Sequence, residues 1–147
     1  MLKGIPTEIS PELLYALAET GHGDLIVIAD DFYPPFSKTP DGRVIYAKGN
    51  TAAEMVDAIL KLFPLDIEYT EHPVEYMIPD ADSGVTVGDT QAWDEVKEAV
   101  KKNGYDEKYI GTIERSKFYD KAGDAVLTVC TSERRPYGCF FLKKGVL

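Results

Sequence analysis

The chain has 147 residues, of which 44% are hydrophobic and 11% aromatic, enough to bury a core and too many for a disordered segment. Sixteen basic residues against 25 acidic ones give a formal charge of −9, a sign that repels a phosphate backbone. No basic stripe interleaved with aromatics offsets it, so nucleic acid is not an expected partner.

The length fits one domain over residues 1–147. No stretch approaches the roughly 18 to 20 apolar residues of a membrane span. The opening "MLKGIPTEIS" meets a proline before an apolar run develops, so no secretory signal is expected. Ser10 followed by Pro11 predicts a helix start, because the hydroxyl can cap and the missing proline N–H is not needed at the first position. Leu13, Leu14 and Leu17 recur at helical spacing, and Gly21 marks the stop. "LIVIA", residues 25 to 29, predicts a strand buried on both faces, as in parallel sheets.

"DFYPPFSKTPDGR" reads as a loop with three prolines and an Asp-Gly turn, and "VIYA" as the next strand. Thr51 and Glu54 form a capping box for a helix whose apolar face is Met55, Val56, Ile59 and Leu60, with Pro64 ending it. Strands are expected at 67–69 and 74–78, and a polar loop in "PDADSGVTVGD". Thr90 to Asn103 predicts a helix with Trp93, Val96 and Val100 on one face and Gly104 after it. "YIGTIE", "AVLTVCT" and "CFFLKKGV" read as strands, and "RSKFYDKAG" as a short helix. Helices interleaved with buried strands imply an α/β fold: a sandwich with helices packed on a mixed, mainly parallel sheet. Cys130 and Cys139 are too few for a disulfide framework and lie in apolar segments. Buried thiols in a reducing compartment, the cytoplasm, are the expectation.

His22 sits between Gly21 and Gly23, which permit a sharp turn and leave room for a ligand, and an imidazole changes charge near neutral pH. A plain surface turn is the alternative for it, and His72 reads as a surface residue. Asp30 and Asp31 follow the apolar strand, where the carboxyl end of an α/β strand faces a ligand crevice; solvated turn aspartates are the alternative. Phe32, Tyr33, Pro34 and Pro35 would form a stiff aromatic wall or anchor the loop. Tyr137 before Gly138 could aim a phenol at a ligand or make an ordinary buried hydrogen bond. Arg115 is similarly ambiguous, and Glu133, Arg134 and Arg135 read as a solvated turn. Walker, dinucleotide and nucleophile-elbow motifs are missing, and no zinc constellation is present. The remaining set of one histidine, strand-end aspartates, an arginine and a tyrosine suits binding a small polyol and moving protons on it.

"LKGIP", "SPELLYALAETGHGD" with "VIAD", "IERSKFYDKA", and "SERRPYG" with "LKKGV" resemble the L-fucose mutarotase and D-ribose pyranase family, in the same order from end to end. The resemblance implies interconversion of sugar anomers, or of pyranose and furanose forms, without metal or organic cofactor. It places His22 on the family's proton-donating histidine and Asp30, Arg115, Tyr137, Gly138 and Cys139 on its sugar-contacting positions. It also implies a homo-oligomer, ring-shaped and as large as a decamer, with sites at subunit contacts. L-fucose is the expected sugar, because the C-terminal motif is closer to that branch. Cys139 stands where the family usually has asparagine, and Phe32 where a polar residue is common, so the pocket is expected to be less polar. A monosaccharide-binding protein without turnover is the alternative those departures raise, and a scaffold without a ligand a third.

Overall fold

A computed structural model describes all of residues 1–147. Helix α1 (Pro11–Glu19) begins as expected: the Ser10 hydroxyl accepts from the Leu13 amide at 3.1 Å, with Pro11 in the first turn. Strand β1 (Leu25–Ala29) is buried at every position. A helical turn, α2 (Pro35–Lys38), interrupts the expected loop, since Pro35 is pre-set for helical φ and the Thr39 amide closes back on it. Next come β2 (Arg43–Tyr46) and α3 (Ala52–Leu60), whose capping box forms in both directions. The chain continues with β3 (Val74–Ile78), α4 (Gln91–Lys102), β4 (Ile110–Glu114), α5 (Arg115–Ala122), β5 (Leu127–Cys130) and β6 (Phe140–Lys143). No helix is long and apolar enough to cross a membrane.

The six strands form one sheet in the order β2-β5-β1-β6-β3-β4. Only β6 runs against its neighbours, β1 and β3; every other pairing is parallel. "LIVIA" is apolar throughout because its two faces meet two different cores. Ile26 and Ile28 pack with Leu13 of α1, Met55 and Ile59 of α3, and Val96 and Val100 of α4. Leu25, Val27 and Ala29 pack with Phe118 and Ala122 of α5 on the opposite face. Phe118 is fully buried and stacks on Phe141 of β6, with ring centroids 3.9 Å apart. The C-terminal ends of β1, β5, β3 and β4 therefore gather at one edge, where antiparallel β6 begins.

Two expectations need correction. Residues 67–69 are a turn, not a strand: the Asp66 carboxylate accepts from the Tyr69 amide at 3.3 Å and the Thr70 hydroxyl at 2.6 Å, curling the backbone away from any ladder. His72 is half-buried rather than on the surface, with its ring lying over Gly111 of β4, where any Cβ would sit 2.6 Å from it.

Candidate functional site

Asp30 leaves the end of β1 at that shared edge. Its carboxylate accepts from the Phe32 amide at 3.0 Å, and its own amide lies 3.5 Å from the Cys139 sulfur. Burial pushes the Asp30 carboxyl above its usual range, opposed by the Phe32 amide and the Cys139 thiol. Cys139 is itself buried, and burial together with Asp30 holds its thiol well above the ordinary cysteine value. In this chain Cys139 thus lies against Asp30 rather than on an open surface. Cys130, at the end of β5, and Cys139, just before β6, are free thiols on either side of β1, two strand spacings or roughly 9 to 10 Å apart, beyond disulfide reach.

Arg115 opens α5 and lays its guanidinium over the ring of Tyr119, 4.8 Å from the centroid. Asp80, beyond the end of β3, anchors this helix start by accepting from the Ser116 amide at 3.0 Å and the Ser116 hydroxyl at 2.8 Å. Burial raises the Tyr119 phenol, with Arg115 opposing and the nearby Asp30 charge reinforcing. Tyr33 packs at 5.9 Å from Tyr119, and its buried hydroxyl has no protein partner. A carboxylate, a guanidinium and several phenols therefore share one rim. Such a set both accepts from and donates to sugar hydroxyls.

The segment before β6 is built more firmly than a solvated turn. Glu133 is 2% exposed and accepts from the Arg135 side chain at 2.9 and 2.8 Å, while Arg135 also forks onto both oxygens of Glu95 in α4. Against the pull of burial, Arg135 keeps the Glu133 carboxyl below its usual range. Gly138 follows in a space with no room for a side chain: a Cβ there would sit 2.6 Å from Glu133 Cγ and 3.6 Å from Asp30 Cβ. The entrance to β6 is thereby fixed, with Cys139 beside Asp30 and Tyr137 two residues before Cys139.

His22 lies elsewhere. The Gly23 amide donates to the Lys144 carbonyl, so the glycine-flanked turn sits where β1 begins and β6 ends, at the opposite edge of the sheet. Its Nε2 is 3.4 Å from Asp66 Oδ1, and the Tyr69 ring is 5.2 Å away. The imidazole is 41% exposed, whereas the Asp66 side chain is 4% exposed. Burial would raise the Asp66 carboxyl, but the Thr70 hydroxyl, the Tyr69 amide and His22 outweigh it and hold it low. An ionised carboxylate beside an accessible imidazole can orient that ring for proton transfer. The structure thus brings Asp30, Arg115, Tyr137, Gly138 and Cys139 to one edge and leaves His22 at the other. Sequence reading did not single out Asp66, Tyr119, Asp80 or the burial of Glu133. Only Tyr119 had a usable signal, four residues after Arg115 on the same helix face.

A family model described as the RbsD / FucU transport protein family matches residues 3–147. The chain belongs to this family. Within it, the chain is 42% identical over 149 residues to a fucose mutarotase of Danio rerio, covering 100% of this chain and 95% of that one. A crystal structure of FucU from Bifidobacterium longum superposes with a TM-score of 0.89 at 36% identity, over 99% of both chains. The fucose mutarotase of Streptococcus pneumoniae, solved in complex with L-fucose, gives 0.86 at 37% identity over 99% of both chains. These RbsD / FucU family structures share the mixed six-stranded arrangement and its packed helices.

Proposed function

We propose that the protein is a mutarotase that interconverts the anomers of L-fucose. The end-to-end likeness to fucose mutarotases carries this reading, and the rim around Asp30 supplies chemistry to match it. Opening a cyclic hemiacetal needs a proton delivered to the ring oxygen and another removed from the anomeric hydroxyl. With those two transfers the bond between the anomeric carbon and the ring oxygen breaks to give the open-chain aldehyde. Closure on its other face re-forms that bond and reverses both transfers; nothing is oxidised, reduced or carried away, so acid–base groups suffice. Positioned acid–base groups accelerate such a step by about 10² to 10⁴. In this reading His22 donates the proton to the ring oxygen and Asp66 orients it, Asp30 and Tyr137 hold hydroxyls and relay the second proton away from the anomeric hydroxyl, and Arg115 binds the sugar, with Gly138 and Cys139 shaping the floor.

One chain cannot bring these groups onto one sugar. Strand β1 is in continuous register with both neighbours, so the six steps from Asp24 to Asp30 span about 20 Å at roughly 3.3 Å each. A monosaccharide is far shorter. The working site therefore takes His22 from one copy and Asp30 from another, in a homo-oligomer that we expect to be a closed ring. The two unpaired buried thiols suit a reducing compartment, and we place the protein in the cytoplasm.

Saturation-transfer NMR on L-fucose tests the reading, because it reports anomer exchange directly. Exchange no faster than in buffer would reject it; binding without exchange would leave the sugar-binding alternative, which Cys139 in place of an amide favours. Mixing His22→Ala with Asp30→Asn protein under conditions of subunit exchange tests the shared site. Partial recovery of activity is expected. None, with mixing demonstrated and both parents inactive, would assign both residues to one chain.

A further inference from the structure

Tyr137 is the one residue other than glycine with a positive φ, at 55°. That left-handed conformation is unfavourable for a side-chain-bearing residue and persists only where its surroundings hold it. What the conformation achieves is visible in the two cores. The Tyr137 ring packs against the cluster on the α5 side of the sheet, together with Tyr33, Tyr119 and Cys139. Its carbonyl points to the other side and accepts from the Trp93 indole N–H at 2.9 Å. An extended backbone would not send the carbonyl and the ring to opposite faces in this way at the entrance to β6.

We propose that Trp93 is a positioning residue: its hydrogen bond to the Tyr137 carbonyl holds Tyr137 left-handed and so aims the phenol at the sugar site beside Asp30. The inference rests on the reading of that rim as the sugar site. Trp93 is well placed for the task. It rides on α4, whose Val96 and Val100 are buried in the first core, and its ring packs on Tyr76 of β3 with centroids 4.9 Å apart. The same helix holds the same segment a second time, through the Glu95–Arg135 fork. Gly138 closes the remaining freedom, because Glu133 and Asp30 leave no slack on its far side. Helix α4 thus acts on the sugar site from the opposite face of the sheet without lining it.

Trp93→Phe is the test, since it keeps an aromatic ring against Tyr76 and removes the N–H donor together with part of the indole's bulk. L-fucose affinity should fall about fivefold, the effect of one lost hydrogen bond of ordinary net strength. In a Tyr137→Ala background the same change should cost nothing further, because Trp93 acts through that ring. The Cα and Cβ carbon shifts of Tyr137 should move from left-handed towards extended values in the variant. Unchanged affinity, an equal loss in both backgrounds, or unmoved carbon shifts would each overturn the proposal. Should phenylalanine perturb folding, Trp93→Met carries the same expectations. If the unaltered protein fails to bind L-fucose, the sugar reading falls, and the carbon shifts alone then decide whether Trp93 holds the Tyr137 backbone.

Discussion

Gly138→Ala adds a single methyl group at the tightest point of the Asp30 rim. Its Cβ would lie 2.6 Å from Glu133 Cγ and 3.3 Å from the Arg135 carbonyl oxygen, where carbon contacts prefer about 3.5 to 4.0 Å. Glu133 cannot swing away cheaply, because its carboxylate takes the Arg135 amide and two guanidinium donors and is 2% exposed. The backbone φ is not in the left-handed region, so the penalty is steric. Overpacking of this kind costs about 1 to 3 kcal/mol. For a chain of this size that lowers Tm by about 3 to 10 °C. The strand entrance should retreat from Asp30 by about 1 Å, and a displacement of that size can cost on the order of 10²-fold in rate. Thermal unfolding and saturation-transfer NMR on L-fucose read the two effects. Gly88→Ala is the control, since nothing lies within 4 Å of a Cβ there, and its stability should stay within about 0.5 kcal/mol of the parent. A Gly138→Ala protein with parental Tm and exchange rate would refute the packing argument for the rim.

His22→Ala should slow anomer exchange by at least about 10² while the fold persists, because Asp66 keeps its Thr70 and Tyr69 donors; a parental rate would exclude His22 as the acid. Asp30→Asn should abolish sugar recognition yet raise stability at neutral pH. Burial lifts the folded carboxyl above its unfolded value of about 3.9, so ionisation destabilises the fold above the folded pKa, and the variant's advantage should vanish as pH falls below the unfolded one. Urea unfolding at neutral and acid pH checks the sign; a variant less stable at neutral pH would contradict it. Phe118→Ala should lose about 3 to 5 kcal/mol, since the ring is fully buried against Phe141, and a loss under 1 kcal/mol in denaturant unfolding would show that the second core closes over the gap.

The local rules of the chain were enough for most of the elements. Ser10–Pro11 and the Thr51–Glu54 box start their helices where spacing and capping chemistry put them, and "LIVIA" declares burial on both faces because nothing polar interrupts it. Asp30 at a strand end and Tyr137 beside Gly138 also stood out as candidates, each with an ordinary structural alternative, while Arg115 stayed ambiguous and Cys139 was marked only by the family resemblance. Their convergence was not legible, because it depends on strand order: β5 and β6 lie on either side of β1 only after the chain has wound through more than a hundred residues. The same holds for what turned out buried. Glu133 reads as a solvated turn until Arg135 and Glu95 close over it, and residues 67–69 read as a strand until the Asp66 carboxylate draws the Tyr69 amide and the Thr70 hydroxyl into a turn. The separation of His22 from Asp30 followed from the strand between them, since an extended chain has a fixed rise. That the strand stays straight was decided by the tertiary structure, where two neighbours hold it in register along its length.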